Sequence, residues 1–365
     1  MAKTDQILAL GLISGTSCDG VDAALVATDG LSQLRCGETV TLAYPEAFRL
    51  RLREAMVSRE ATPAIVEELT RRQGDAVAQL LERAGLRPNE VGVLGFHGQT
   101  LLHEPERRRT WQIGDGALLA CLTGIDTVSD FRSADVAAGG QGAPFAPLFH
   151  RALAESHDEP LPRPLAVLNL GGVANVTWIG DGEDELIAFD TGPGNALIDD
   201  WALRHLGHPV DQDGRLAAAG EVDKRALEAL LDDDYFARPA PKSLDRDAFD
   251  PAPLEELSPA DGAATLVAFT VAAVGRGLEI LPEPPRAWLV TGGGRRNPVL
   301  MAALRRRLGV PVAAVDTLGW DGDGLEAQAF AYLAVRSLSG LPLSLPTTTG
   351  VPRPLTGGRL DRARG

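Results

Sequence analysis

The chain has 365 residues, enough for two domains of the usual size, roughly 100–200 residues each. Apolar residues make up 44% and charged residues 23%, the composition of a chain that buries an ordinary core. With 50 acidic against 35 basic residues the formal charge is −15, a field that repels polyanions, so neither nucleic-acid nor membrane-surface binding is expected. No stretch approaches the roughly 20 apolar residues of a membrane helix, and a soluble protein is expected. Cys18, Cys36 and Cys121 are too few and scattered for a disulfide framework. With no export signal at the start, a reducing cytoplasmic location is expected.

In chain order, residues 7–13 read as a buried strand, 15–20 as a tight polar turn and 21–28 as a second strand, so the chain opens on a glycine-bent hairpin. Helical periodicity follows at about 46–57 and 62–84, where Ile65, Leu69, Val77, Leu80 and Leu81 share a face, and the apolar run 91–96 returns to strand. A helix is expected over 116–122 and a strand over 125–129, ending in Asp130-Phe131-Arg132. Residues 137–147 and 155–164, rich in glycine, proline and charge, read as loop and connector and separate domains 1–140 and 141–365. Beyond them, strands at 165–170 and 175–179 flank Gly171-Gly172 and repeat the opening arrangement, the mark of an internal duplication. A strand at 186–189, helices near 195–206, 222–231 and 261–280, a strand at 287–290 and helices near 297–308 and 323–338 complete the second half. Strands alternating with helices in both halves predict an α/β protein of two domains around a cleft. The tail 341–365, rich in Pro, Gly and Thr, is expected to pack back on the first domain.

Three glycine-rich turns are candidate ligand loops. The first, Gly15-Thr16-Ser17-Cys18-Asp19-Gly20-Val21-Asp22, offers backbone N–H groups and hydroxyls suited to phosphate oxygens. Its glycine spacing is that of a Walker A loop, but Val21 and Asp22 stand where that loop requires Lys and Ser or Thr, and a strand follows instead of a helix. An ordinary surface hairpin accounts for the segment equally well. The second, Asp190-Thr191-Gly192-Pro193-Gly194-Asn195, puts a carboxylate at the carboxyl end of a strand, where open α/β sheets bind ligands and a general base is useful. Its alternative is a helix cap, and Leu197 in the third glycine's place excludes a dinucleotide fingerprint. The third, Gly292-Gly293-Gly294, precedes Asn297 as helix cap and Pro298 as first helical residue. It has more glycine than a connector needs and leaves bare backbone for a flat base or ribose.

Outside these turns, His97 and Gln99 lie in a polar segment with His103 but without the cysteines or tight His pair of a metal site, so polar substrate contacts or loop hydrogen bonds are their expected use. Arg132 can hold a carboxylate bidentately or form a structural ion pair. Glu326, on a largely apolar helix, is read as a buried carboxylate with a functional task, a helix-start charge being the alternative.

Taken in order, GLISGTSCDGVDAALV, GFHGQTLLHEP, QIGDGALLA, DFRSADVAAGGQGAPFAPLFH, LNLGGVANVTWIG, FDTGPGNALIDDW and VTGGGRRNPVLMAAL resemble the anhydro-N-acetylmuramic acid kinase family, from residue 11 to about residue 358. The resemblance implies two duplicated actin-like (ribonuclease H-like) domains flanking a nucleotide cleft. It implies that ATP and water open 1,6-anhydro-N-acetylmuramic acid to N-acetylmuramic acid 6-phosphate and ADP, a step of peptidoglycan recycling. Carried over by position, it implies that Gly15, Thr16, Ser17, Cys18, Asp19, Gly20, Val21, Asp22, Gly171 and Gly172 clamp the ATP phosphates and that Gly292, Gly293, Gly294 and Asn297 border the nucleoside. Asp190 is then the catalytic base, with Arg132, Glu326, His97 and Gln99 at the sugar. Ile13 replaces the usual methionine, and residues 321–325 depart from the Asp-Ala-x-Glu-Ala pattern expected before the last helix. A homodimer is a possible assembly that the sequence leaves open.

O6 of the anhydro sugar is bonded to C1 and carries no proton, so the base must act on water. Water activated by Asp190 attacks C1, the C1–O6 bond breaks, and O6 takes the γ-phosphoryl group. The first hairpin has no lysine, so Mg²⁺ bridging the phosphates is implied, with Asp19 and Asp22 nearest to hold its waters. Two other classes fit parts of the pattern. A nucleotide-dependent switch protein of the actin-like superfamily would hydrolyse ATP indifferently to sugar, and a glycoside hydrolase using Asp190 and Glu326 would open the sugar without nucleotide.

Overall fold

A computed structural model describes residues 6–15, 18–182, 185–246 and 248–363. The chain divides into two units, Met1–Pro160 with Gly324–Gly365, and Leu161–Asp323. The division falls after Pro160 and not at 140/141, because a helix in the expected connector, Pro147–Glu155, packs Phe149 against Tyr332, with ring centroids 5.9 Å apart. The last long helix, Leu325–Leu338, also belongs to unit 1.

In unit 1, β1 (Ile7–Ile13), β2 (Gly20–Thr28) and β3 (Leu34–Ala43) form an antiparallel ladder. β4 (Val93–Phe96) lies parallel to β1, while β5 (Gln99–Glu104) and β6 (Arg109–Ile113) make a separate hairpin. β7 (Thr127–Ser129) runs parallel to β4, and a final strand, Arg359–Asp361, closes the sheet on β7. One face buries Leu10, Leu12, Val21, Ala23 and Leu25 against Phe48, Leu52, Leu69, Val77 and Leu80 of the helices Glu46–Ser58 and Pro63–Ala84. The longer helix begins where the Thr62 side chain accepts from the Ile65 N–H and stops at Gly85 in the left-handed conformation, an N-cap and a C-cap residue of the preferred kinds. On the other face the helix Leu325–Leu338 lies so near that a Cβ on Gly11 would run into the Ala327 carbonyl, and one on Gly95 into that of Phe330. Gly11 and Gly95 are register partners, so glycine inside these strands marks a close backbone approach. The tail stays within unit 1, through the final strand on β7 and the Thr349 hydroxyl donating to Asp135 Oδ2 at 2.6 Å.

In unit 2, β8 (Leu165–Leu170), β9 (Val173–Ile179) and β10 (Leu186–Pro193) are antiparallel, and β11 (Ala287–Thr291) and β12 (Val312–Ala314) extend the sheet in parallel. The order β10-β9-β8-β11-β12 repeats β3-β2-β1-β4-β7 strand for strand, so the expected duplication is present in the topology. A single cluster holds Ala166, Leu168 and Val290 of the sheet with Phe269 and Val274 of the helix Pro259–Gly277 and Leu300 and Leu304 of the helix Pro298–Leu308. β10 continues past 189 to Pro193, with a register shift between Asp190 and Gly192. Among the described residues no helix is long and apolar enough to cross a membrane.

Candidate active site

In unit 2 the second and third glycine turns meet the turn between β8 and β9. The N–H groups of Gly194 and Asn195 donate to the carbonyls of Gly172 (3.0 Å) and Gly171 (2.7 Å). Asn195 Nδ2 donates to the Leu170 carbonyl at 2.6 Å, and the Thr270 hydroxyl to that of Gly194 at 3.0 Å. From β11, Gly292 enters with φ +76°, a conformation that favours glycine, and a Cβ there would strike Asn169 Oδ1. Gly293 differs: it is exposed, and a Cβ on it would meet only Asn195 Nδ2, at 3.6 Å. Its bare backbone fits the flat ligand surface expected there. Asn297 is the cap that its position implied, its Oδ1 accepting from Val299 N–H (3.0 Å) and Leu300 N–H (3.2 Å). That oxygen is therefore engaged within the helix end.

Asp190 lies at the register shift in β10 and is 7% exposed. Bulges of this kind re-aim a side chain and are frequent beside active sites. Its Oδ2 accepts from the Leu244 N–H at 2.8 Å, its N–H donates to the Lys242 carbonyl at 3.0 Å, and its carbonyl accepts from the Tyr235 hydroxyl at 2.5 Å. Burial and then the Asp190 charge push the Tyr235 phenol far above its ordinary range, which keeps it a donor. No sequence motif pointed to residues 235–244. A signal existed: the chain has only three lysines, and Lys242 stands among prolines just after a charged stretch.

In unit 1 the β1–β2 hairpin forms as expected, Ile13 pairing with Asp22. Thr16 and Ser17 lie outside the described residues. Cys18 turns its side chain inward, its Sγ 2.9 Å from Met56 Sδ, and burial pushes the thiol up to about 11. Asp19 is exposed, and Asp22 accepts from the Thr41 hydroxyl at 2.5 Å. Among the described residues no group of three His, Cys, Asp or Glu can cage a metal ion.

Gln99 is fully buried: its Nε2 donates to the Gly15 carbonyl (3.3 Å) and its Oε1 accepts from the Ser14 hydroxyl (2.7 Å). It braces the hairpin turn, the loop hydrogen bonding that was one of its two expected uses. His97 and Arg132 are brought together. Arg132 Nε donates to His97 Nε2 at 2.9 Å, so Nδ1 carries the proton and donates to the Gly98 carbonyl at 3.0 Å. Burial, then the Arg132 charge, holds His97 well below its ordinary range and therefore neutral. Glu326 corrects an expectation: it is exposed on the first helical turn, because Ala327 and not Glu326 faces the sheet.

The chain matches the family model described as "Anhydro-N-acetylmuramic acid kinase" over residues 7–361. It belongs to the anhydro-N-acetylmuramic acid kinase family. Relatives of that name include one from Rhodospirillum rubrum, 58% identical with 96% of this chain and 93% of that protein covered. Another, from Paramagnetospirillum magneticum, is 56% identical, with 97% and 99% covered. Among solved structures, the activator of the 2-hydroxyisocaproyl-CoA dehydratase from Clostridium difficile aligns with TM-score 0.48 and 12% identity, covering 92% of this chain and 96% of that one.

Proposed function

We propose that this chain is an ATP-dependent kinase that hydrolytically opens 1,6-anhydro-N-acetylmuramic acid and phosphorylates O6, giving N-acetylmuramic acid 6-phosphate and ADP, in cytoplasmic peptidoglycan recycling. Family membership supports the substrates. The observation that carries the mechanism is Asp190, a buried carboxylate fixed through Oδ2 beside the Gly192–Gly194 turn. An ionised carboxylate is an acceptor only and can take a proton from water. That water attacks C1, the C1–O6 bond breaks, and O6 accepts the γ-phosphoryl group, so atoms and charge balance without a proton on O6. The N–H groups of the Gly15–Asp22 hairpin and of Gly171 and Gly172 serve the phosphates, and Gly292 to Gly294 serve the nucleoside. His97 and Arg132 serve as a paired polar contact to the sugar, and Glu326 as an exposed one. Mg²⁺, when bound, neutralises charge on the phosphates, with Asp19 and Asp22 holding its waters.

The test is ADP release with and without the anhydro sugar, together with turnover in ¹⁸O-labelled water. Sugar-dependent ADP release with label on C1 and none on O6 is expected. ADP release indifferent to sugar would indicate a switch protein, and ring opening without nucleotide a hydrolase.

A further inference from the structure

One loop of unit 2 satisfies both backbone groups and one carboxylate oxygen of Asp190, through Tyr235, Lys242 and Leu244. The Lys242 ammonium closes that loop on itself. Nζ donates to the Tyr235 carbonyl at 2.9 Å, lies 3.5 Å from the Phe236 carbonyl, and sits over the Tyr235 ring, 4.4 Å from its centroid. Residues 235 and 242, the two ends that grip Asp190, are thereby tied to each other. We infer that Lys242 is a positioning residue for the catalytic base: its cation sets the loop that aims the Asp190 carboxylate and places a positive charge near it. The inference rests on Asp190 being the base.

Lys242 is 6% exposed, and burial, with Arg238 nearby, holds its ammonium down to about 8. A buried cation carries a desolvation penalty that an apolar side chain of similar volume avoids. If Lys242 served packing alone, methionine would serve as well. Among the described residues, the Tyr235 phenol and the Lys242 ammonium interact with the Asp190 charge, and Arg238 acts on both of them. The cation favours the ionised carboxylate, so its removal acts on the acid side of the rate profile.

Lys242→Met and Tyr235→Phe test this, with wild type and Asp190→Asn alongside, using circular dichroism, thermal midpoints and kcat and KM for both substrates from pH 5 to pH 9. Lys242→Met is expected to fold, to lose about 10–100-fold in kcat, the effect of a misplaced catalytic group, with little change in either KM. Its acid limb should move to higher pH. Tyr235→Phe removes no charge and should lower kcat while leaving the acid limb in place. Folded Lys242→Met with wild-type kcat and acid limb would overturn the inference. If Lys242→Met fails to fold, Tyr235→Phe decides, and wild-type kcat there would overturn it as well. Wild type that releases no ADP with the sugar would overturn the kinase reading itself, an outcome visible before any variant is compared.

Discussion

β3 and β10 are the same strand of a repeated topology, each third in its antiparallel ladder and each at a sheet edge, yet they have opposite surroundings. β3 is mostly exposed, with Glu38 in a solvent-facing pair with Arg83, whereas β10 is buried along almost its whole length. The cause is the loop 235–244, which covers the free edge of β10 where the Asp190 N–H meets the Lys242 carbonyl. A similar contrast holds two strands further in. At the sites where β1 and β4 carry the pair Gly11 and Gly95, β8 and β11 carry Leu168 and Val290, also register partners. Duplicated topology fixes the strand order, while the elements packed on each copy decide whether the third strand holds a buried carboxylate or is a wet edge.

The contrast is broken most severely at Asp190. Asp190→Asn keeps the shape but cannot take a proton, so kcat should fall about 10²–10⁴-fold with both KM values nearly unchanged. Steady-state kinetics with retained turnover would remove the base from this strand. Next in size, Phe189→Ala, on the fully buried face of β10, should cost about 3–5 kcal/mol, whereas Glu38→Ala on β3 should cost no more than about 1 kcal/mol. Denaturant titration of both compares the edges directly, and similar losses would mean that burial does not separate them.

A smaller effect separates two glycines. Gly11→Ala forces a methyl group into the helix backbone and should cost about 1–3 kcal/mol. Gly293→Ala makes only an ordinary contact with Asn195 Nδ2 and should leave stability within about 0.5 kcal/mol while raising KM for ATP more than KM for the sugar. Melting curves and kinetics on the two variants check this, and equal destabilisation would contradict the close approach of the helix to β1.

The mildest difference is in acid sensitivity. Unit 1 buries His97 and His150 and half-buries His103, and desolvation holds His103 and His150 down to about 4 and His97 well below its ordinary range. In unit 2, His205 and His208 are exposed. An unfolded histidine takes its proton near pH 6.5 and a buried one only later, so stability is complete above about 6.5 and lost as pH falls toward about 4. Hydrogen exchange, corrected for intrinsic rate, should show unit 1 peptides losing protection before those of unit 2 between pH 6 and pH 4.5, and the reverse order would show that other groups dominate.

Much of the site is legible in the sequence because its signals are local. Glycine placement announces the hairpin at Gly15 to Gly20 and the turn at Gly292 to Gly294, and strand periodicity puts Asp190 on its strand, although that strand runs on through a bulge to Pro193. The repeated strand, glycine turn, strand pattern announces the duplication, and Asn297 before Pro298 announces a helix start. Other features are set by partners far away in the chain, and local pattern carries no record of them. Gln99 looked like a ligand contact, but its amide braces Ser14 and Gly15. Glu326 looked buried because its neighbours are apolar, but helix rotation against Gly11 leaves it outside. The exposed β3 lacked a core-facing signature and was not expected at all. The grip of Tyr235, Lys242 and Leu244 on Asp190 spans roughly fifty residues of chain and is made largely by backbone groups, which every residue possesses. Residue types and spacings alone thus determine the family, the duplication and the candidate base. Only tertiary packing decides which carboxylate is held dry and aimed, because burial and orientation are properties of what surrounds a residue in space.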